Sequence, residues 1–153
     1  MNAMSKVTHE IRTEIEQLVA EYHWLLDHGH ADQLHLLYTD DCISVGPMGV
    51  MEGRAAIKAW GEKRITINAG TVRHFSGGTR LAFDQGMLCG TTYYMTFRDS
   101  QSDPLRPASV GEFREQYVNV DGTWLIKRRE IVPVFGAENA ANHAKRIEAG
   151  GNQ

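Results

Sequence analysis

The sequence predicts an α+β fold, with helices first and then a long antiparallel meander of strands. Three observations carry this. Apolar residues recur at helical spacing only in the first part of the chain. From Thr71 onward come four long segments rich in β-branched and aromatic residues, separated by turn signals. Within the first of these segments sits Gly77-Gly78, a pair that suggests a bulge or kink able to bend a sheet around its helices. The expected architecture is three N-terminal helices packed on a strongly bent, mostly antiparallel sheet. One domain covers residues 1–153, with a core at about 7–135.

Taken in order, residues 8–27 read as an amphipathic helix, with Ile11, Ile15, Leu18, Val19, Tyr22, Leu25 and Leu26 at helical spacing. Gly29 lies where a glycine C-cap belongs. A short second helix is expected from Gln33 to Tyr38, with Asp32 as its cap. Asp40-Asp41 breaks into a strand at Cys42–Val45. Gly46-Pro47-Met48-Gly49 is a hairpin turn, and Val50-Met51-Glu52 is the return. A third helix, about Ala55 to Ile65, buries Ile57 and Trp60. The long strands are Thr71–Phe83, Met87–Arg98, Ser109–Val120 and Thr123–Val134. Asp84-Gln85-Gly86 and Asp121-Gly122 are tight turns between them, and Asp99–Pro107 is a longer polar loop. The tail at 136–153 is either a short helix or flexible chain.

Bulk properties exclude several functions. Of 153 residues 42% are hydrophobic and 23% charged, enough for a packed core. A net charge of -3 offers no basic excess for nucleic acid. No apolar run approaches the ~20 residues that span a bilayer. The first thirteen residues lack the apolar centre of a secretory signal, so the expected location is the cytoplasm. Cys42 and Cys89 form no metal-type pair and no disulfide framework. Histidines gather at His23, His28, His30 and His35, but His28-x-His30 matches no strong metal motif, so no metal is predicted. Phosphate loops and serine elbows are absent from the sequence.

Four residues could carry chemistry. His74 offers a base that works near neutral pH. Simple alternation puts it opposite Leu81 and Phe83, but a bulge at Gly77-Gly78 would bring all three to one face. Asp27 at the end of the first helix opposes the helix dipole, so a cationic partner or a function must explain it. Bonded to His74, it would fix the tautomer and stabilise the imidazolium. Tyr22, five residues earlier, can face the same cavity. Arg129 would serve as a fixed cation for a leaving group or an enolate-like oxygen. By strict alternation it shares a face with Leu125 and Ile131, but both faces of its strand are partly apolar. Cys89, Thr91, Tyr93, Met95 and Phe97 form the more apolar face of their strand, which is expected to line the pocket with Tyr93 as its polar handle. Met48, Trp60, Phe113 and Tyr117 are expected wall residues.

With Asp27, the Arg73-His74 strand and the Asp121-Gly122-x-Trp124 hairpin in this order, the chain resembles the SnoaL-like branch of the nuclear transport factor 2-like superfamily. The likeness covers roughly Val7 to Phe135, and it is strongest to the lindane dehydrochlorinase and bile-acid dehydratase type. The segment His74 to Phe83 is similar to the dehydrochlorinase strand that begins with its catalytic histidine. Ile15 to Asp27 matches the helix ending on the aspartate that orients it. Arg129 falls at that enzyme's catalytic arginine, and Tyr22 at a tyrosine of the dehydratases, where the dehydrochlorinase has lysine. The resemblance implies a cone-shaped α+β barrel and a cofactor-independent elimination on a small hydrophobic, cyclic or steroid-like substrate. In it His74 takes a proton, Asp27 orients His74, and Arg129 or Tyr22 assists the leaving group. Homo-oligomerisation, as dimer or trimer, is also implied. Two other readings stay open: a ketosteroid-isomerase-like proton shuttle with Asp27 as base, and a non-catalytic assembly module resembling the β subunits of ring-hydroxylating dioxygenases.

Overall fold

The computed structural model describes residues 6–68, 70–98 and 106–135. The tail at 136–153 and residues 99–105 of the Asp99–Pro107 loop lie outside the described residues. Helix α1 (His9–Asp27) starts at Thr8, whose hydroxyl accepts the Ile11 N–H at 3.2 Å. Six of the seven residues that the spacing selects are buried, Ile15, Leu18, Val19, Tyr22, Leu25 and Leu26; Ile11 is half-buried, and His23 and Asp27 are buried with them. Each large apolar side chain buried here contributes about 1.5–3 kcal/mol.

The second helix is a 3₁₀ helix at Ala31–Leu37, and Tyr38 already belongs to strand β1 (Tyr38–Gly46). Asp40-Asp41 is therefore not a break but an irregularity inside the strand. Its register against a neighbour shifts between Tyr38 and Ile43, and the two aspartates both face solvent. Strand β2 (Gly49–Glu52) returns antiparallel, and helix α2 spans Arg54–Asn68. Arg54 ties α2 to β1 through the Tyr38 carbonyl and Asp40.

Helix α2 lies against the 3₁₀ helix at Gly61, which is buried. A β-carbon there would stand 2.0 Å from the Ala31 carbonyl oxygen. Gly61→Ala is expected to force the helices apart and cost about 1–3 kcal/mol or more, read as a lower urea midpoint with an unchanged slope.

Strands β3 (Val72–Asp84), β4 (Met87–Arg98), β5 (Ser109–Val120) and β6 (Thr123–Phe135) complete one six-stranded sheet. Its order is β2-β1-β6-β5-β4-β3, with β1–β6 parallel and the other pairs antiparallel. The sheet curves without closing, so it is not a complete barrel: β2 and β3 are its edges. Two bulges decide which side chains face the helices. In β3 the register against β4 shifts between Gly77 and Arg80, and Gly78 has φ +62°. The shift keeps His74 on the inner side together with Leu81 and Phe83 despite their odd spacing. In β6 the pairing jumps from Arg128 to Ile126, leaving Lys127 as the extra residue, ion-paired to Asp41. Ile126 and Arg129 thereby share the buried side, which corrects the expectation that Arg129 sides with Leu125.

Candidate active site

Asp27 ends α1 and is buried. A carboxylate at a helix C-terminus is electrostatically disfavoured, and two groups from β3 compensate. Arg73 donates Nη1–H to the Asp27 carbonyl at 3.3 Å. His74 meets the carboxylate twice: its backbone N–H donates to Oδ2 at 2.7 Å, and its ring Nδ1 lies 2.6 Å from Oδ1. Because a carboxylate only accepts, Nδ1 carries the hydrogen and Nε2 is left as the acceptor. The His74 side chain is only 9% exposed.

Tyr22 is buried one turn and a half before Asp27. The Arg129 guanidinium lies over its ring at 3.6 Å from the centroid, and 4.8 Å from that of Phe113. Arg129 and Glu115 face each other across β5 and β6, and both are buried. Nε of Arg129 donates to Glu115 Oε1 at 2.6 Å, with Nη2 in the same ion pair. The Tyr117 hydroxyl donates to the other oxygen at 2.5 Å. Burial alone would lower the Arg129 pKa; Glu115, Tyr38 and Tyr22 outweigh it and hold it above the ordinary value. Burial raises the Tyr117 phenol, and Glu115 raises it further.

Phe113 and Tyr117 are both buried on the inner side of β5. Trp60 packs half-buried against the core, with the Arg64 guanidinium 5.3 Å from its ring. Met48 sits half-buried in the turn between β1 and β2. The expected lining from β4 is overturned. Leu88, Gly90, Thr92, Tyr94 and Thr96 are the buried residues, while Tyr93 is 65% exposed and Cys89 lies on Tyr93's side of the strand. Tyr94, stacked on Phe113 at 4.5 Å, replaces Tyr93 as the inner tyrosine. Apolarity misleads here because the inner side of β4 carries glycine and threonine where neighbouring rings need room: a β-carbon at Gly90 would meet the Tyr117 ring at 2.9 Å.

Sequence reasoning missed His23, Ser76, Glu115 and Arg64. His23 stacks on His74 with centroids 5.3 Å apart and planes within 7°, and its Nδ1 lies 2.9 Å from Ser76 Oγ. The signal was the spacing His23-x-x-x-Asp27, one helical turn. Arg64 of α2 is a buried cation whose charge interacts with Tyr22 and Asp27. Among the described residues no cluster of three or more His, Cys, Asp or Glu side chains could hold a metal ion. No helix among them is long and apolar enough to cross a membrane.

A family model described as the SnoaL-like domain matches residues 7–130. The chain belongs to that family. Solved structures similar to this SnoaL-like domain include an NTF2-like protein with a cystatin-like fold from Novosphingobium aromaticivorans, at 25% identity and TM-score 0.72, covering 90% of this chain and 88% of that one. A scytalone dehydratase candidate from the same organism is 23% identical with TM-score 0.67, over 81% of this chain and 84% of that one. ActVI-ORFA from Streptomyces coelicolor is 17% identical with TM-score 0.73, over 84% and 98%. No curated protein sequence matches.

His23 also gives this SnoaL-like domain an acid sensitivity. Its pKa is pushed down to about 2, first by burial, then by the charges of His74 and Arg129. In the unfolded chain the ring titrates near 6.5. Between these values the unfolded state binds the extra proton, so the stability is complete above about pH 6.5 and is lost as the pH falls. One group contributes at most about 1.4 kcal/mol per pH unit. Urea unfolding of His23→Leu is expected to show a shallower loss between pH 6 and 4 than wild type (about one proton less). Parallel pH curves would refute this account.

Proposed function

We propose that this protein is a cofactor-independent lyase of the dehydratase type, acting on a small hydrophobic cyclic substrate. The carrying observation is the double contact of buried Asp27 with His74, at 2.7 Å and 2.6 Å, which leaves Nε2 as the basic nitrogen. In the proposed step a substrate C–H proton passes to His74 Nε2, and the C–H electron pair becomes the new double bond. The C–O bond on the neighbouring carbon breaks, and its oxygen leaves as water by taking the proton that His74 Nε2 has just accepted, which returns His74 to its neutral form. Asp27 stabilises the imidazolium. Tyr22 hydrogen-bonds the leaving oxygen, and Arg129 behind the ring supplies positive charge.

Aromatic side chains around the dyad (Tyr22, Phe113, Tyr94) support a flat, apolar substrate. Likeness to a scytalone dehydratase candidate puts scytalone first among the compounds to try. The commitment of both Asp27 oxygens to His74 disfavours Asp27 itself as the base of an isomerase. The test is a panel of cyclic β-hydroxyketones followed by mass spectrometry in D₂O. Loss of water supports the reading, whereas deuterium uptake without water loss would replace it with an isomerase.

Self-association belongs to the same proposal. The outer side of β3 and β4 exposes Phe75, Tyr93 and Met95, an apolar band consistent with a homo-oligomer. Sedimentation of wild type against Tyr93→Lys tests it.

A further inference from the structure

Two of the side-chain pairs that cross from α1 to β3 involve a histidine: Asp27 with His74, and His23 with Ser76. They are rungs of one ladder. Asp27 and His23 are four apart on the helix, a rise of about 6 Å. His74 and Ser76 are two apart on the strand, a rise of about 6.6 Å. One helical turn of four residues and one strand repeat of two therefore nearly match. The match lays the two imidazoles parallel, 5.3 Å between centroids and 7° between planes.

The two rings differ in what they can do. His74 has a carboxylate on Nδ1. His23 has a serine hydroxyl there, and its Nε2 is buried without a hydrogen-bond partner. Its surroundings are the Tyr22 ring edge-on at 5.5 Å and the Phe113 ring at 5.5 Å. Among the described residues, the titratable and charged groups set against it are Tyr22 and Asp27 from α1, His74 from β3 and Arg129 from β6. No anion other than Asp27 is among them, and that carboxylate is taken by His74. A proton placed on His23 would sit beside an imidazolium and a guanidinium. His23 therefore stays neutral and cannot relay the proton that His74 accepts.

We propose that His23 is a positioning residue for His74: stacked on one face of its ring and tethered to Ser76, it fixes the ring plane against Asp27 and supports the imidazolium with an aromatic face. A neutral ring within about 6 Å of a cation attracts it, and more so where water is excluded. The stack covers one face of the His74 ring and leaves the in-plane lone pair of Nε2 to accept the proton. The assignment rests on His74 as the base of the proposed elimination, although its test does not need a substrate.

The test is an NMR titration of ¹⁵N-labelled histidine side chains in wild type, His23→Phe, His23→Leu and Ser76→Ala. His23→Leu fills the space without a π face, and is expected to lower the His74 midpoint by about half a pH unit or more. His23→Phe keeps the face and should restore the midpoint to within about a quarter unit of wild type. Ser76 is exposed, so Ser76→Ala leaves the core intact. Cutting that tether should shift His74 in the same direction as leucine, by less. Equal shifts in the phenylalanine and leucine variants, or no shift in leucine, overturn the proposal. So does a wild-type His23 that titrates between about pH 5 and 9. If a leucine core variant does not fold, an unmoved His74 in Ser76→Ala overturns it alone. A failed elimination assay would leave these midpoints readable, so the two readings fall separately.

Discussion

Asp27→Asn is expected to abolish base catalysis nearly as completely as His74→Ala, with turnover down about 10²–10⁴-fold in each. For His74→Ala the reason is loss of the acceptor nitrogen. For Asp27→Asn it is geometry. The aspartate accepts two hydrogen bonds from one residue, the His74 backbone N–H on Oδ2 and the ring Nδ1–H on Oδ1. An asparagine has one acceptor and one donor end. The backbone N–H cannot accept, so it claims the amide oxygen. The amide NH₂ then faces Nδ1, which must become the acceptor, and the ring hydrogen moves to Nε2. The nitrogen that should take the proton already carries one. A wrong tautomer of this kind costs a histidine base about as much as losing a catalytic group. Two measurements check it: steady-state kinetics on the substrate found by the elimination panel, and ¹⁵N shifts that identify the tautomer without substrate. An Asp27→Asn protein still protonated on Nδ1 would sink the argument. The fold should survive, because the backbone hydrogen bond is kept.

Much of this geometry was legible in the sequence, for identifiable reasons. The α1 core face follows from a 3.6-residue period that nothing interrupts. The hairpin turns were readable because their central residues tolerate positive φ, as Asp121 and Gly122 show at 51° and 89°. The inward turn of His74 was readable because paired glycines mark where a strand changes phase. The side of Arg129 was not, since its bulge falls at Lys127, where no glycine marks it and only a partner strand reveals the extra residue. Nor was the inner side of β4, where Tyr94 and two threonines are buried and Tyr93 is not. Periodicity ranks faces by apolarity, and this interior mixes charged and polar side chains into its apolar core. It holds Asp27, His23, Glu115, Arg129 and Arg64, each buried among groups that come from other elements. Glu115 did leave a trace: it alternates with Phe113 and Tyr117, and a carboxylate in an apolar row needs a cation nearby.

That cation makes Glu115→Ala the variant with the largest expected effect on stability. Arg129 has no exposed surface, and Glu115 is the carboxylate in its ion pair. Removing the carboxylate strands a buried guanidinium and takes the acceptor from the Tyr117 hydroxyl. Breaking a buried pair from one side costs about 3–5 kcal/mol, because the remaining charge is uncompensated. Small domains hold about 5–15 kcal/mol in all, so the variant should sit near its unfolding threshold. Urea unfolding measures it, and a loss below about 1 kcal/mol would show that Tyr22 and Phe113 alone satisfy the cation. The double change Glu115→Leu with Arg129→Met separates structure from chemistry. It replaces both charges with apolar groups of similar size, an exchange that is often neutral or favourable. Stability should return toward wild type. Elimination should not, since the positive charge behind Tyr22 is gone. If activity returned with stability, Arg129 would be a packing residue whose partner happens to be acidic, and Tyr22 would have to assist the leaving group without it.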